Sequence, residues 1–414
     1  MEKLVALPVK GESFLLFRDG KVILVDGGYN GKVLAGAIEK VCPGLDYIDI
    51  VVCTHSDRDH AGGFLRFAEY FRGHIEEFWL PGIWQGIIKK LEVEPRSVFE
   101  GLKHELFKMV KDVESISKSP GDSLKEKLDS LAIEQRRIKA KEQSLSSLED
   151  VHSVEDDEDK AIKRYMLANR FYHSSEDVVK DSRSAVYRAR TSRTIASGLA
   201  NYWLDLINSA RIIWAIAAQA EFHGSKIRYF DFEAFRLSRV PAGGIRGVLE
   251  PLNSVESLPA PVELTYFAAL SPVNEECLAF ISPPTLDGLG VIFCGDSPLG
   301  DGPQYKKSFL SYLPNPAVPY IVTAPHHGSE SNSIAYQHIF SHLKSVVWLR
   351  SGGSIRQPGP TFQGLDFSVR ACTHCPQRGV PLQAVVIPLS RSAPFTRVYS
   401  RECCCQVPAS PLIS

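Results

Sequence analysis

The sequence predicts an α/β fold with layered sheets that is interrupted by a long helical segment. Strand and helix patterns alternate over residues 1–84 and return after about residue 226. The segment between them carries few Pro or Gly residues and many charged ones at helical spacing. We therefore divide the chain of 414 residues into the first half of an α/β domain (1–84), a helical hairpin insertion (85–225), and the second half of the α/β domain with a Cys-containing C-terminal segment (226–414).

Composition limits the classes of partner and compartment. With 47 basic and 48 acidic residues, the chain has a formal net charge of −1, so any nucleic acid must meet a local basic patch. The N-terminus lacks the apolar core of a secretion signal, and no stretch reaches the roughly 20 apolar residues of a membrane span. Nine cysteines, several of them in strand patterns, favour a reducing compartment over a disulfide framework. We expect a cytoplasmic protein with no membrane partner.

The first part reads as a hairpin followed by alternating helices and strands. Asp19-Gly20 is a strong hairpin signal between two apolar runs. The predicted elements, in order, are strands Ser13–Phe17 and Lys21–Val25, helix Val33–Lys40, strand Ile48–Cys53 and helix Phe64–Phe71.

The middle segment predicts two antiparallel, coiled-coil-like arms. Apolar residues recur at heptad-like spacing from Leu124 to Leu145 and again from Leu199 to Ala217. The acidic run Glu155–Asp159 between them is typical of a solvated bend. Such arms often bind other helices, which makes a protein partner a hypothesis, with Tyr202, Trp203 and Trp214 as aromatic anchors.

A basic cluster on the second arm leaves two interpretations open. It is either a surface that contacts phosphates or a helix face exposed to water. Its members are Lys180, Arg183, Arg188, Arg190 and Arg193.

The last part repeats one event, a buried strand that ends in an Asp or a His. The predicted strands are Cys277–Ile281, Gly290–Cys294 and Val318–Thr323. The second runs into Asp296, and the third runs into His326-His327.

Four polar strand ends stand out: Asp26, the cluster from His55 to His60, Asp296, and His326-His327. Neighbouring strand ends lie along one edge of an α/β sheet, so these residues can converge on one crevice. Two imidazoles and two carboxylates within six residues would repel or hydrogen-bond poorly unless a cation lay among them. The total is close to the roughly six to eight ligands that a pair of metal ions needs.

The order of these motifs resembles the metallo-β-lactamase-fold hydrolases. It is most similar to the soluble nuclease-like domain of ComEC-type DNA-uptake proteins. The matching pieces are Asp26-Gly27-Gly28, His55 to Gly63, Leu270-Ser271-Pro272 with Asn274, Gly295-Asp296, and Pro325 to Ser329. The resemblance covers roughly residues 1–84 and 226–365, and the helical segment lies outside it.

The resemblance implies an αββα metallo-β-lactamase sandwich that holds two divalent metal ions, zinc or manganese, at the edge of its sheets. The implied metal ligands are His55, Asp57, Asp59, His60, Asp296 and His327. The first two would face one metal and the next two the other, with Asp296 bridging. His326 would be a hydrogen-bonding or proton-donating neighbour, although the roles of His326 and His327 could be exchanged. Asp26 would orient the ligand loop by hydrogen bonds.

The resemblance also implies hydrolysis by a hydroxide that bridges the metals, with Asp59 orienting it and His326 protonating the leaving group. Asp57 stands where the family more often has His, which hardens the site towards oxygen ligands. We therefore predict a phosphodiesterase or nuclease acting on nucleic acid or a nucleotide. The alternatives are an ester or thioester substrate, a non-catalytic metal-binding interaction protein, and an effector switched by a partner protein.

Two details stay open. The additional His that the family places between the ligand cluster and Asp296 has no counterpart that we can assign, which leaves one metal partly ligated by water. The C-terminal cysteines, Cys372, Cys375 and Cys403 to Cys405, indicate either a structural zinc site or reduced thiols.

Overall fold

The structure is a computed structural model that describes residues 2–116, 124–146, 160–193, 195–257, 264–313, 319–343, 346–366, 369–375, 379 and 381–390. The strands are β1 Lys3–Ala6, β2 Phe14–Arg18, β3 Lys21–Val25, β4 Tyr47–Val52, β5 His74–Pro81, β6 Lys226–Asp231, β7 Glu250–Pro251, β8 Val255–Glu256, β9 Phe280–Ser282, β10 Gly290–Phe293, β11 Gly300–Asp301, β12 Lys307–Ser308, β13 Tyr320–Thr323, β14 Val346–Arg350, β15 Arg370–Cys372 and β16 Val385–Pro388. The α-helices are α1 Gly31–Val41, α2 Arg58–Ala61, α3 Phe67–Tyr70, α4 Trp84–Val93, α5 Pro95–Ile116, α6 Leu124–Ser146, α7 Lys160–Thr191, α8 Ser197–His223, α9 Phe232–Ser238, α10 Tyr266–Leu270, α11 Ser333–His342 and α12 Pro360–Gln363.

The strands form two large sheets. One has 8 strands in the order β16-β1-β2-β3-β4-β5-β6-β8, and the other has 6 in the order β15-β14-β13-β10-β9-β7. Strands β3 to β6 are parallel in the first sheet, and β10, β13, β14 and β15 are parallel in the second. Within each sheet, the carboxyl ends of these parallel strands therefore lie along one edge.

The two sheets pack face to face, with helices on their outer faces. Along β2, Phe14 and Leu16 enter the core between the sheets, whereas Leu15 enters the core under the helices, as a period of two requires. Phe280 and Val291 meet this inner core from the second sheet, whose outer face packs on α11 and α12. The prediction of a mixed α/β fold with sheets and helices is confirmed.

Several predicted elements match the observed ones closely. The Asp19-Gly20 hairpin pairs Arg18 with Lys21, and both turn residues have positive φ angles, 49° and 72°. The predicted helix Phe64–Phe71 is shortened to α3, because Arg66 adopts a left-handed φ of 61°.

The predicted strand Cys277–Ile281 begins only at Phe280. Cys277 and Leu278 do not pair with β10, because they contact the loop that follows β4. The Cys277 sulfur faces His55, and the Leu278 amide donates to the Thr54 carbonyl at 3.0 Å. These two residues therefore connect the second sheet to the loop that follows β4.

Between β5 and β6, every segment that the structure describes is helical apart from short turns. Helix α8 is buried on almost all sides and shares the core of the first sheet, so it forms part of a layer instead of a free arm. On α6, Ile138 is 49% exposed, so the predicted heptad seam is not continuous. The acidic run Glu155–Asp159 lies outside the described residues, and the three-part division of the chain stays a prediction.

The three aromatic residues considered as anchors for a partner, Tyr202, Trp203 and Trp214, are each at most 3% exposed and pack inside the protein. Their rings stabilise this chain and do not offer a surface to another. Within the described residues, no helix combines the length and the apolar composition that a membrane span requires.

Candidate metal centre

The predicted site residues come together where strands of both sheets end. Asp26 follows β3, and the loop that begins at Cys53 follows β4. In the second sheet, Asp296 lies just beyond β10, and His326-His327 lies just beyond β13. Two contacts between site residues of the two sheets are His60 Nε2 to Asp296 Oδ1 and His327 Nε2 to Asp59 Oδ2, each 3.0 Å.

His60 is held by a buried carboxylate. Its Nδ1 donates to Asp26 Oδ2 at 2.7 Å, and both side chains are completely buried. Asp26 also accepts hydrogen bonds from the amide and the hydroxyl of Thr54, at 2.9 and 2.8 Å. Because Nδ1 carries the donated proton, Nε2 is the nitrogen that is left to face the centre.

His327 and His55 are oriented like His60, with Nδ1 on a neighbouring group and Nε2 towards the centre. His327 Nδ1 donates to the Ser351 carbonyl at 3.0 Å, which directs Nε2 towards Asp59. His55 Nδ1 lies 3.0 Å from the Thr54 hydroxyl, and its Nε2 lies 3.7 Å from Asp57 Oδ2. Three imidazoles thus present Nε2 to one space, the arrangement found where histidines bind metal.

The Asp296 carboxylate lies between several imidazoles. Oδ1 faces His60, whereas Oδ2 lies 3.4 Å from His326 Nε2 and 3.7 Å from His55 Nε2. Asn274 Nδ2 lies 3.4 Å from the same Oδ2. Each oxygen therefore serves a different side of the centre, which is the geometry a bridging carboxylate needs, although the bridging role stays a prediction.

His326 and His327 adopt left-handed φ angles of 48° and 54°, which are uncommon for residues other than glycine. The His326 amide donates to the Gly295 carbonyl at 2.9 Å and fixes this turn. As a result, His327 is buried, whereas the His326 side chain is 28% exposed at the opening.

The glycines of the ligand loop allow two backbones to touch. A Cβ on Gly63 would lie 1.8 Å from the Gly27 carbonyl oxygen. The Gly63 amide donates to the Gly28 carbonyl, and the Gly27 amide donates to the His60 carbonyl at 2.6 Å. The Gly-Gly pairs after Asp26 and after Ala61 are thus explained by this close contact.

Glu12 is a member of the centre that the sequence did not indicate. It is 1% exposed, and its Oε2 lies 3.6 Å from His327 Nδ1 without a hydrogen bond among the described residues. Two groups have ligand atoms within 4.8 Å of one another: Glu12, His60 and His327, and His55, His60 and Asp296. A lone Glu beside Gly11 gives no sequence signal, because single carboxylates occur in most turns.

The charges of the centre are strongly coupled. Burial alone lowers the pKa of His60, but the Asp296 and Asp26 carboxylates outweigh it and raise that pKa well above its usual value. Burial raises the pKa of Glu12 from 4.5 to about 7, although His60 and His327 pull it down. In the absence of a cation, protons on the imidazoles supply the positive charge that these carboxylates require.

The donor set fits a divalent cation. His55 Nε2, His60 Nε2 and Asp296 Oδ1 are buried and have no hydrogen-bond partner among the described residues, although they face one another. Buried polar atoms nearly always form hydrogen bonds, so a cluster of nitrogen and carboxylate ligands that face one another without a hydrogen bond fits a shared cation. Imidazole and carboxylate together suit zinc, and manganese also accepts them.

The helical segment packs against the ligand loop. Ser56 Oγ, in the ligand loop, donates to Ser209 Oγ of α8 at 3.1 Å. The Tyr202 hydroxyl of α8 donates to Asp129 of α6 at 2.8 Å and lies 3.0 Å from Ser271 Oγ. Residues of α6 and α8 therefore lie beside the ligand loop and Ser271.

Cys372 and Cys375 are buried at the end of the second sheet. Cys403 to Cys405 lie outside the described residues, so the choice between a structural zinc site and reduced thiols stays open.

Residues 7–82 match the family model of the metallo-beta-lactamase superfamily. The matched segment contains Glu12, Asp26 and the ligand loop, and it ends before the helical segment. No curated protein and no solved structure gives a significant match. The chain is therefore similar to this superfamily over the half of the centre that the first sheet supplies.

Proposed function

We propose that the protein is a metal-dependent hydrolase that cleaves phosphodiester bonds in nucleic acid. The observation that supports it most is the set of buried Nε2 and carboxylate oxygen atoms that face one another without a hydrogen bond. The similarity of residues 7–82 to the metallo-beta-lactamase superfamily supports the same reading.

The assignment of ligands follows the sequence prediction, with Glu12 added at the edge. His55, His60 and His327 would bind through Nε2, with Asp57, Asp59 and Asp296 completing two adjoining positions. Two divalent cations held there would make water more acidic and would offset the negative charge that builds on the attacked group.

Asp59 is the carboxylate best placed to act on water. Burial raises its pKa, but the hydrogen bond from His327 and the charges of His60 and His327 outweigh this, so its pKa falls well below the usual value. Asp59 therefore stays ionised and can accept a hydrogen bond from the attacking water. Its side chain is 28% exposed, so water reaches it from the opening.

His326 is the group best placed to move a proton. Burial lowers its pKa below the usual value, although Asp296 opposes the shift, so the resting imidazole is neutral near pH 7. It must therefore take up a proton before it gives one to the leaving oxygen. Its position at the opening places it between Asp296 and incoming substrate.

The phosphodiester assignment rests on the carboxylates. Asp57 and Asp59 make the centre rich in oxygen ligands and anionic before metal is bound, which favours hard cations and the oxygen-rich groups that such cations bind. Esters, thioesters and small nucleotides are the alternative substrates to include in any assay.

The test is metal analysis coupled to a cleavage assay on wild type, Asp59→Ala and a control, Asp287→Ala. Asp287 is exposed in the turn before β10, at the opposite end of that strand from the centre. Each protein is loaded with zinc or manganese and given single-stranded, duplex and cyclic nucleotide substrates, an ester and a thioester. We expect wild type and the control to cleave phosphodiesters and Asp59→Ala to lose roughly a hundredfold or more in rate.

Failure of wild type to retain a transition metal would contradict the metal-dependent reading. Metal retention without cleavage of any substrate would favour a binding role. Unchanged activity in Asp59→Ala would place the chemistry elsewhere.

A further inference from the structure

Arg58 is the member of the ligand loop whose charged group contacts no other side chain of the metal centre. It lies between Asp57 and Asp59, begins α2, and is exposed. Within the part of the chain that the structure describes, its guanidinium makes no side-chain hydrogen bond and no ion pair. A cation beside two carboxylates that are assigned to metal ions is available to an anion from solution.

A second guanidinium approaches the same loop from the helical segment. The contact between Ser56 and Ser209 fixes α8 against the ligand loop, and α2 packs on α8. The residue before Ser209 is Asn208, whose Oδ1 accepts a hydrogen bond from Arg183 Nη2 of α7. Arg183 is thus anchored to α8 at the residue next to the one that contacts the ligand loop.

Charge supports the same placement. Burial lowers the pKa of Arg183, and the positive charges of Arg211 and, to a smaller extent, Arg58 lower it further, although Tyr187 and Glu176 oppose the shift. Arg211 forms an ion pair with Glu176. Arg183 is bound to a neutral amide, and in the described residues it has no carboxylate partner. Neither Arg58 nor Arg183 forms an ion pair among the described residues, so both guanidinium groups can donate hydrogen bonds to a bound anion.

We propose that Arg58 and Arg183 form a phosphate-binding site beside the metal centre, which holds the backbone of a nucleic acid next to the phosphodiester that is cleaved. The proposal rests on the proposed function and names its substrate as a chain with more than one phosphate. The planar guanidinium donates two parallel hydrogen bonds to a phosphate, which fits it for this role better than a lysine.

The test compares Arg58→Gln and Arg183→Gln with Arg188→Gln as a matched control. Arg188 lies five residues further along α7 and lines a separate cavity of about 300 Å³ with Phe99 and Trp203. Hydrolysis is measured on a single-stranded oligonucleotide and on bis(4-nitrophenyl) phosphate, which has one phosphate only. Metal content and melting temperature are measured on every variant.

We expect each of the two arginine variants to lose about tenfold in kcat/KM on the oligonucleotide, mainly through KM, and nothing on the single diester. The slope of log affinity against log salt concentration should become shallower by about 0.7 for each arginine removed. Arg58→Lys should restore part of the oligonucleotide activity because it restores the charge without the fork.

Equal losses on both substrates, or losses in Arg188→Gln as large as in the other two, would overturn the proposal. If no phosphodiester is cleaved by wild type, the proposed function fails, and oligonucleotide binding to the metal-free protein then tests the arginine site alone. Weaker binding in Arg58→Gln and Arg183→Gln but not in the control supports the site, and unchanged binding in all variants overturns it.

Discussion

The two halves of the centre are built in different ways. The half from the first sheet places its ligands in one loop and fixes them with a buried carboxylate, since Asp26 receives hydrogen bonds from His60 and Thr54. The half from the second sheet draws on separate loops and relies on the backbone, through the Ser351 carbonyl and the left-handed His326 and His327. The comparison teaches that one half is oriented by side-chain charge, whereas the other is oriented by backbone hydrogen bonds that hold a strained turn.

The largest effect should come from the strained half, in a comparison of His327→Gln with His326→Gln. His327 is buried with Nε2 on Asp59, so its loss should lower metal affinity by more than about a hundredfold and abolish activity. His326 lies at the opening, so its loss should leave metal content unchanged and lower kcat by roughly 10²–10⁴. Chelator competition and steady-state kinetics measure the two quantities. The opposite pattern would exchange the roles of the two histidines.

A smaller loss of metal affinity is expected in the half that the first sheet supplies, where the Asp26 charge orients His60. Asp26→Asn keeps the shape of the side chain but removes the negative charge under His60, so metal affinity should fall by about 10–100-fold. Competition with a chromophoric chelator measures it, with Asp287→Asn as the control. An affinity equal to that of wild type would show that the hydrogen bond to His60 does not orient a ligand.

The last prediction concerns stability instead of metal binding, and it tests Glu12, which lies between the halves. Between about pH 4.5 and 7 the folded, metal-free protein keeps a proton on Glu12 that the unfolded chain has lost, so its stability falls as pH rises through this range. Glu12→Gln cannot ionise, so relative to wild type it should gain on the order of 3 kcal/mol in unfolding free energy from about pH 4 to about pH 8. Urea unfolding at the two pH values, with chelator present, measures the difference. A gap between the two proteins that does not change with pH would show that Glu12 ionises normally.

The sequence predicted the ligand-bearing strand ends because each combines a β-branched run with an abrupt Asp or His. Asp26, Asp296 and the cluster from His55 to His60 could all be located in this way. That two sheets contribute followed from the resemblance and not from periodicity, since buried runs in the two sheets look alike. The strand order within each sheet was not predicted.

Three other features could not be predicted from the sequence. Glu12 is an isolated carboxylate, and its function depends on burial that only the folded chain creates. The position of Arg183 depends on Asn208 and on the packing of α7 against α8, which heptad spacing does not reveal. The regular apolar stripe of α8 predicts an arm, whereas the structure buries most of the helix and leaves one side, with Asn201 and Asp205, exposed.

The burial of α8 has a practical consequence for anyone who wants a minimal version of this protein. The outer face of β5 packs on α8, and the two share one continuous core. A shortened chain that joins residue 84 directly to residue 226 would open that core to water and would also remove Ser209, the contact that seats the ligand loop. The helical segment is therefore not a detachable module, and truncation designs should keep α8 even where they shorten the distal ends of α6 and α7.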